Sequence, residues 1–158
     1  MSVLGIKPTS LQSFEPAEDD WYANLIWIDR RKCVLLAHAT TLFSVLVVDV
    51  LKRDLMPLGL WAVECISDEL RREGLSTSSL GRLDPTAVEL ARTSSRRVLG
   101  YMNDMTRCCD FAVAEGGGLG RVDPRALNRE LRRQVHVTRD APGYFVPLER
   151  AAARRIAV

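Results

Sequence analysis

Cys33 and His38 are the first residues in this chain whose types suggest chemistry, a thiol nucleophile beside a general base. They lie five positions apart, and an odd spacing within one regular strand turns two side chains to opposite faces. A direct pair would need a bulge, so Cys33 is read as a core thiol and His38 as a hydrogen-bonded residue at a strand end. Cys33, Cys65, Cys108 and Cys109 form no C-x-x-C pair, and His38 and His136 are far apart in the chain. Zinc-type ligand spacing is therefore absent, and neither a metal nor a cofactor is expected. The G-G-G-L-G run at 116–120 follows a helical pattern and has no Lys-Ser/Thr after it, which excludes a phosphate loop. Ser44 lacks the G-x-S-x-G context of a hydrolase nucleophile.

Asn24 offers a different kind of site. In W-Y-A-N-L-I-W-I-D (21–29), alternation puts Trp21, Ala23, Leu25 and Trp27 on one face and Tyr22, Asn24, Ile26 and Ile28 on the other. The two indoles, Trp21 and Trp27, are expected to be at least partly buried. An unpaired buried amide costs about 1–3 kcal/mol, so Asn24 must find partners. Asn103 or Asp104, at the start of a helix, would supply them and form a polar node. Structural pinning of sheet to helix is the favoured reading of that node, and ligand binding the alternative. Asp104 and Asp110 fall about 240° apart on a helix and cannot work as a co-facial pair. Asn103 and Arg107, at i,i+4, are expected to pair at the surface.

The third constellation is electrostatic. The net charge of +2 is too small to argue for a partner, but its distribution is uneven. Residues 1–95 hold ten Lys/Arg against thirteen Asp/Glu, whereas residues 117–158 hold nine Arg against four acids. Guanidinium groups bind phosphates and carboxylates bidentately. Arg30, Arg31 and Lys32, together with Arg129, Arg132 and Arg133, are the candidate contact surface for a protein or nucleic acid. The competing reading is a charged, solvated face. Aromatic interleaving is thin, since Tyr144 and Phe145 are the only aromatics after residue 111.

Aromatic and branched residues predict a strand over Trp21–Asp29, a continuous apolar run a second over Cys33–His38, and apolar residues on both parities a third, buried on both faces, over Phe43–Val50, the first two joined as a hairpin through Arg30-Arg31-Lys32. Asp54 is read as the cap of a helix that has Pro57 in its first turn and runs to about Glu73, stopped by Gly74. Val88–Arg92 is a weak fourth strand. The strongest pattern is a helix from about Arg96 to Glu115, with Val98, Met102, Met105, Cys109, Ala112 and Val113 on one stripe, capped by Ser94 or Ser95. Asp123-Pro124 reads as a cap and first turn of a short helix through Arg133, and Pro147 starts a last helix, Leu148 to Ile156. At 158 residues and 47% apolar content the chain suits a folded domain rather than a disordered one. The fold class expected is α+β: a small antiparallel sheet packed against several helices, a single domain over 21–158 with an Arg-rich C-terminal part, preceded by an extended lead-in at 1–20. The apolar runs are too short for a membrane span, and no signal peptide is visible. With four cysteines in no framework, the expected setting is the cytoplasm.

W-Y-A-N-L-I-W-I-D-R-R-K-C (21–33) and V-L-G-Y-M-N-D (98–104) resemble an uncharacterised bacterial and archaeal family, a domain of unknown function. Thr41-Leu42-Phe43-Ser44, A-L-N-R-E-L-R-R (126–133) and Gly-Tyr-x-x-Pro (143–147) are similar to it as well, so the resemblance covers roughly residues 21–150. Members often carry Asn-Arg-Ser where this chain has Ser95-Arg96-Arg97. The resemblance implies the fold and supplies no activity. The functional expectation is a non-enzymatic cytoplasmic interaction module that binds a protein or nucleic acid through Arg-rich surfaces. The alternative is a small enzyme with a polar site around Asn24, His38, Asn103 and Asp104.

Overall fold

The computed structural model describes residues 15–88, 95–139 and 141–154. Three antiparallel strands, β1 (Trp21–Ile28), β2 (Arg31–His38) and β3 (Ser44–Val47), form a meander in the order β1-β2-β3. Four helices follow: α1 (Leu58–Arg72), α2 (Arg96–Glu115), α3 (Pro124–Arg133) and, at the end, α4 (Pro147–Ala153). A short hairpin, β4 (His136–Val137) with β5 (Tyr144–Phe145), lies between α3 and α4. The domain is α+β, as the patterning implies.

The apolar run of β2 lacks a polar face because both of its faces are covered. Cys33, Leu35 and Ala37 belong to a core with Tyr22, Ile26 and Ile28 of β1 and with Val98, Met102, Met105, Cys109 and Val113 of α2. Val34 and Leu36 point the other way, into a core with Phe43, Val45, Ile66 and Leu70. Each large aliphatic side chain buried in these layers contributes about 1.5–3 kcal/mol. Alternation along β2 thus places Cys33 and His38 on opposite faces, as their spacing requires. On β1 the second layer covers Trp21 and Leu25 only in part. Trp27 beside the turn is 61% exposed, with the Lys32 ammonium 5.8 Å from its ring centroid. The expected burial of both indoles therefore fails for Trp27, because β1 is the outer strand and the covering layer stops short of the turn.

Local signals act where foreseen in the two middle helices. Ser95 Oγ accepts the Val98 N–H at 3.2 Å at the start of α2. Asp123 Oδ1 accepts the Arg125 N–H at 3.0 Å at the start of α3, with Pro124 in its first turn. Gly117 and Gly118, at φ 85° and 114°, reverse the chain after α2 in a conformation that side chains resist.

Four boundaries differ from expectation. The β1–β2 turn is Asp29-Arg30, both at positive φ, so Arg31 and Lys32 sit inside β2. Asp29 holds this turn by accepting the Leu119 N–H at 2.9 Å. Asp54 caps a separate 3-10 turn, Lys52–Leu55, by accepting the Leu51 N–H at 2.8 Å, and α1 begins only after Pro57. β3 ends at Val47, four residues long, and α4 ends at Ala153. The weak strand over Val88–Arg92 lies, Val88 apart, outside the described residues, as do residues 1–14 of the lead-in. Among the described residues no helix is long and apolar enough to cross a membrane.

A candidate anion-binding cleft

A polar clamp sets the position of α3 against the sheet. The Asn128 side chain, one turn into the helix, accepts the Leu46 N–H at 2.7 Å and donates to the Leu46 carbonyl at 2.9 Å. The amide thus completes the outer edge of β3 as a neighbouring strand would, which blunts that edge. One turn further on, Arg132 donates to the Ser44 carbonyl at 3.2 Å, and its guanidinium lies 4.9 Å from the Phe43 ring centroid. Asn128 thus makes a polar link between β3 and α3, a different pair of elements from the β1–α2 node expected of Asn24 with Asn103 or Asp104.

Arg132 is fully buried. Two carboxylates at the end of α1 stabilise it: Glu69 accepts from Nη2 at 2.8 Å, and Glu73 accepts from Nε at 3.0 Å and Nη2 at 2.9 Å. Glu69 also binds Arg72, and Glu73 binds Arg133 at 2.9 and 2.6 Å. Burial alone would push the Glu73 carboxyl up, but the Arg133 and Arg132 hydrogen bonds hold it below the usual carboxylate range. Arg133 is correspondingly held more firmly charged, chiefly by its bond to Glu73.

This network forms one wall of a cleft of about 540 Å³ between the end of α1 and the length of α3. Arg125 and Arg129 line it too, and neither makes an ion pair with a described residue. Five arginines thus face Glu69, Glu73 and Asp123, an excess of two positive charges. Arg125, Arg129 and Arg133 recur at i, i+4 and i+8, so their guanidinium groups share one side of the helix, with about 6 Å of rise between successive positions. Arg129, Arg132 and Arg133 are brought together as expected, but in unequal states. Arg132 is walled in, and Arg133 is tethered and part-exposed. Arg129 is open to solvent.

The hairpin tip is less basic than it reads. Arg31 is held by Asp49, whose carboxyl that bond keeps low, and Lys32 lies over Trp27. Arg30 is exposed. Asp29 and Asp49 offset two of the three positive charges of the tip.

The polar site proposed around Asn24, His38, Asn103 and Asp104 does not assemble. Asn24 pairs across the sheet with Leu35 and His38 with Trp21, which puts the two side chains on opposite faces. Asn103 is exposed, and Asp104 binds Arg139 and lies 3.6 Å from Arg107. Arg107 therefore partners Asp104, at i,i+3, rather than Asn103.

His38 instead joins a different group. Its Nδ1 accepts the Thr41 N–H at 3.2 Å and lies 3.0 Å from Thr41 Oγ1, so the proton sits on Nε2, which donates to Asp19 Oδ1 at 3.1 Å. Arg154 also binds Asp19 and, foremost through that bond, lowers its pKa. The order hydroxyl–imidazole–carboxylate is that of a nucleophile, base and orienting acid. Here Thr41 is 2% exposed and His38 fully buried, so the chain of bonds ties the lead-in and α4 to the end of β2. Burial keeps the His38 imidazole neutral by lowering its pKa against the pull of Asp19.

The class of molecule these features define is a small α+β domain with an arginine-lined cleft on the flank of its sheet. The chain belongs to the family described as Domain of unknown function (DUF6933), whose model matches residues 1–150. Comparison with curated proteins and with solved structures gives no match.

Sequence reading missed Arg72, Arg125, Glu69 and Glu73. Glu69 carried a signal, because it falls on the same side of α1 as Trp61 and Cys65, and a carboxylate heading inward needs a cation. The i, i+4 spacing of Arg125 and Arg129 was a second one.

Proposed function

We propose that this protein is a non-enzymatic interaction module of the cytoplasm that receives the anionic groups of a protein or nucleic-acid partner in the α1–α3 cleft. The observation that carries this reading is the pair Arg125 and Arg129, open to the cleft with no ion-pair partner among the described residues. Buried ion pairs satisfy Arg132 and the two glutamates and fix α3 against α1, so the backbone that carries the open guanidinium groups is already in place and only their side chains are ordered on binding. Four free cysteines, two of them buried in the core, suit a reducing compartment.

The test is an anisotropy titration at low salt with a labelled single-stranded oligonucleotide and, separately, a labelled polyglutamate peptide. At least one should bind with Kd in the range of about 1–100 μM and weaken log-linearly with salt. Arg125→Ala/Arg129→Ala should weaken it at least tenfold. No binding by either probe, or binding that the double variant leaves unchanged, overturns the reading.

A further inference from the structure

Resting on the reading of the α1–α3 cleft as an anion site, we infer that its ligand is a terminal phosphomonoester, the dianionic –OPO₃²⁻ group. Three observations narrow the chemistry. The cleft carries an excess of two positive charges, and every cation in it is an arginine. A guanidinium presents paired N–H donors that match two oxygens of one phosphate, and arginine clusters are a recurrent means of holding phosphorylated groups. A terminal monoester offers two charges and three free oxygens, whereas a carboxylate or an internal phosphodiester carries one charge and two.

The second observation is what the cleft lacks. Its lining is arginine, glutamate, aspartate and one alanine, with no aromatic ring. A single-stranded nucleic-acid channel combines its cations with stacking platforms for the bases, and none lines this cleft. The recognised part of the ligand is therefore the charged group and not a base.

Third, the row of cations along α3 borders a concavity rather than an open face. Arg125 and Arg129 stand on successive turns of α3, while the network of Arg132 and Arg133 with Glu69 and Glu73 closes one side. The other basic region lies at the β1–β2 turn, where Asp49 holds Arg31. A cleft of about 540 Å³ is of the size that takes a small group, not a duplex backbone.

The pH dependence of binding gives an independent readout. The titratable groups facing the cleft besides its arginines are Glu69, Glu73 and Asp123, and the lining contains no histidine. A phosphomonoester takes up its second proton with a pKa of about 6. Affinity should therefore fall between pH 7.5 and 5.5 with the loss of the ligand's second charge.

The experiment uses phenyl phosphate, diphenyl phosphate and benzoate as probes. NMR follows the Arg125 and Arg129 Nε–H resonances, with Arg125→Ala/Arg129→Ala as the control and its fold checked by circular dichroism. The expected result is saturable shifts at both resonances with phenyl phosphate, weakened severalfold at pH 5.5. Diphenyl phosphate and benzoate should bind at least tenfold more weakly. A phosphoserine peptide and a 5′-phosphorylated oligonucleotide, each set against its unphosphorylated form, then identify the source of the group by whichever gains more. If diphenyl phosphate or benzoate binds as tightly as phenyl phosphate and through the same arginines, the monoester proposal fails while the anion cleft stands. If no probe shifts either resonance, and the oligonucleotide and polyglutamate titrations are also blank, both fail.

Discussion

Arg30-Arg31-Lys32 at the β1–β2 turn and Arg129, Arg132 and Arg133 on α3 are two basic clusters of similar composition, and the fold uses them oppositely. There Arg30 stands in solvent on the turn, Arg31 and Lys32 are half-buried at the start of β2, and Asp29 and Asp49 offset two of the three cations, with Arg31 bound to Asp49. On α3 the most basic stretch turns inward: Arg132 is fully buried against Glu69 and Glu73, and that investment holds Arg129 and Arg125 at the rim of a concavity. Charge counted along a chain does not measure the field at the surface. Partners and burial decide whether a cation is structural, neutralised or available.

The largest expected difference between the two regions is in stability. Arg132→Met removes the one fully buried guanidinium and leaves the buried Glu69 and Glu73 carboxylates only their part-exposed partners Arg72 and Arg133, which should cost about 3 kcal/mol, whereas Arg30→Ala should change stability by no more than about 0.5 kcal/mol. Urea denaturation measures both, and similar midpoints would mean that the network contributes no more than a surface charge.

Binding comes next. Arg125→Ala/Arg129→Ala should lower anion affinity at least tenfold and reduce the slope of log K against log salt by about two. Arg30→Ala/Arg31→Ala should reduce that slope by at most about one, because Asp49 already holds Arg31. The opposite ranking would move the site to the hairpin tip.

Acid separates the regions more gently. The folded-state pKa of Glu73 is lowered from 4.5, so its stabilisation is present above that value and is lost as pH falls through the folded value. Burial also lowers the pKa of His38 and of His136 from 6.5, and each withdraws stability as pH falls below that value. Thermal melts should show two acid windows. Asp19, Asp49 and Asp84 are lowered as well, so Glu73→Gln should make the lower window shallower without abolishing it, and by the same amount in low and high salt, since the Glu73 side chain is 5% exposed. A lower window that vanishes in high salt would place Glu73 in solvent.

The smallest effect belongs to Asp49→Asn. The Arg31–Asp49 pair is open to water, with side chains 37% and 51% exposed, so Tm should stay within about 3 °C. The same change frees Arg31 and should raise the salt slope for polyanions by up to about one. A large loss of stability would show that the turn depends on this pair.

Much of the architecture is legible in the residues because its causes are local. The stripe of α2, the Ser95 and Asp123 caps and the alternation of β1 act within a few positions, and each appears where its pattern puts it. The turn at Asp29-Arg30 is not legible, because what holds Asp29 is the backbone of Leu119, ninety residues away. The β4–β5 hairpin, two residues on each side, is too short for its alternation to register and depends on Tyr101, which donates to the Val137 carbonyl at 2.8 Å and packs edge-on to Phe145.

The candidate site divides along the same line. From the chain alone one learns that arginines concentrate after residue 117 and that Arg129, Arg132 and Arg133 share one short helix. The tertiary structure alone decides that Arg132 is interior, that Glu69 and Glu73 meet it from α1, and that Asn128 joins α3 to β3. The physical reason is the difference in reach. Helical period and capping are set by neighbours three or four residues away, whereas the state of a charge is set by whichever opposite charge and low-dielectric surface the fold brings beside it, here from some sixty residues earlier in the chain.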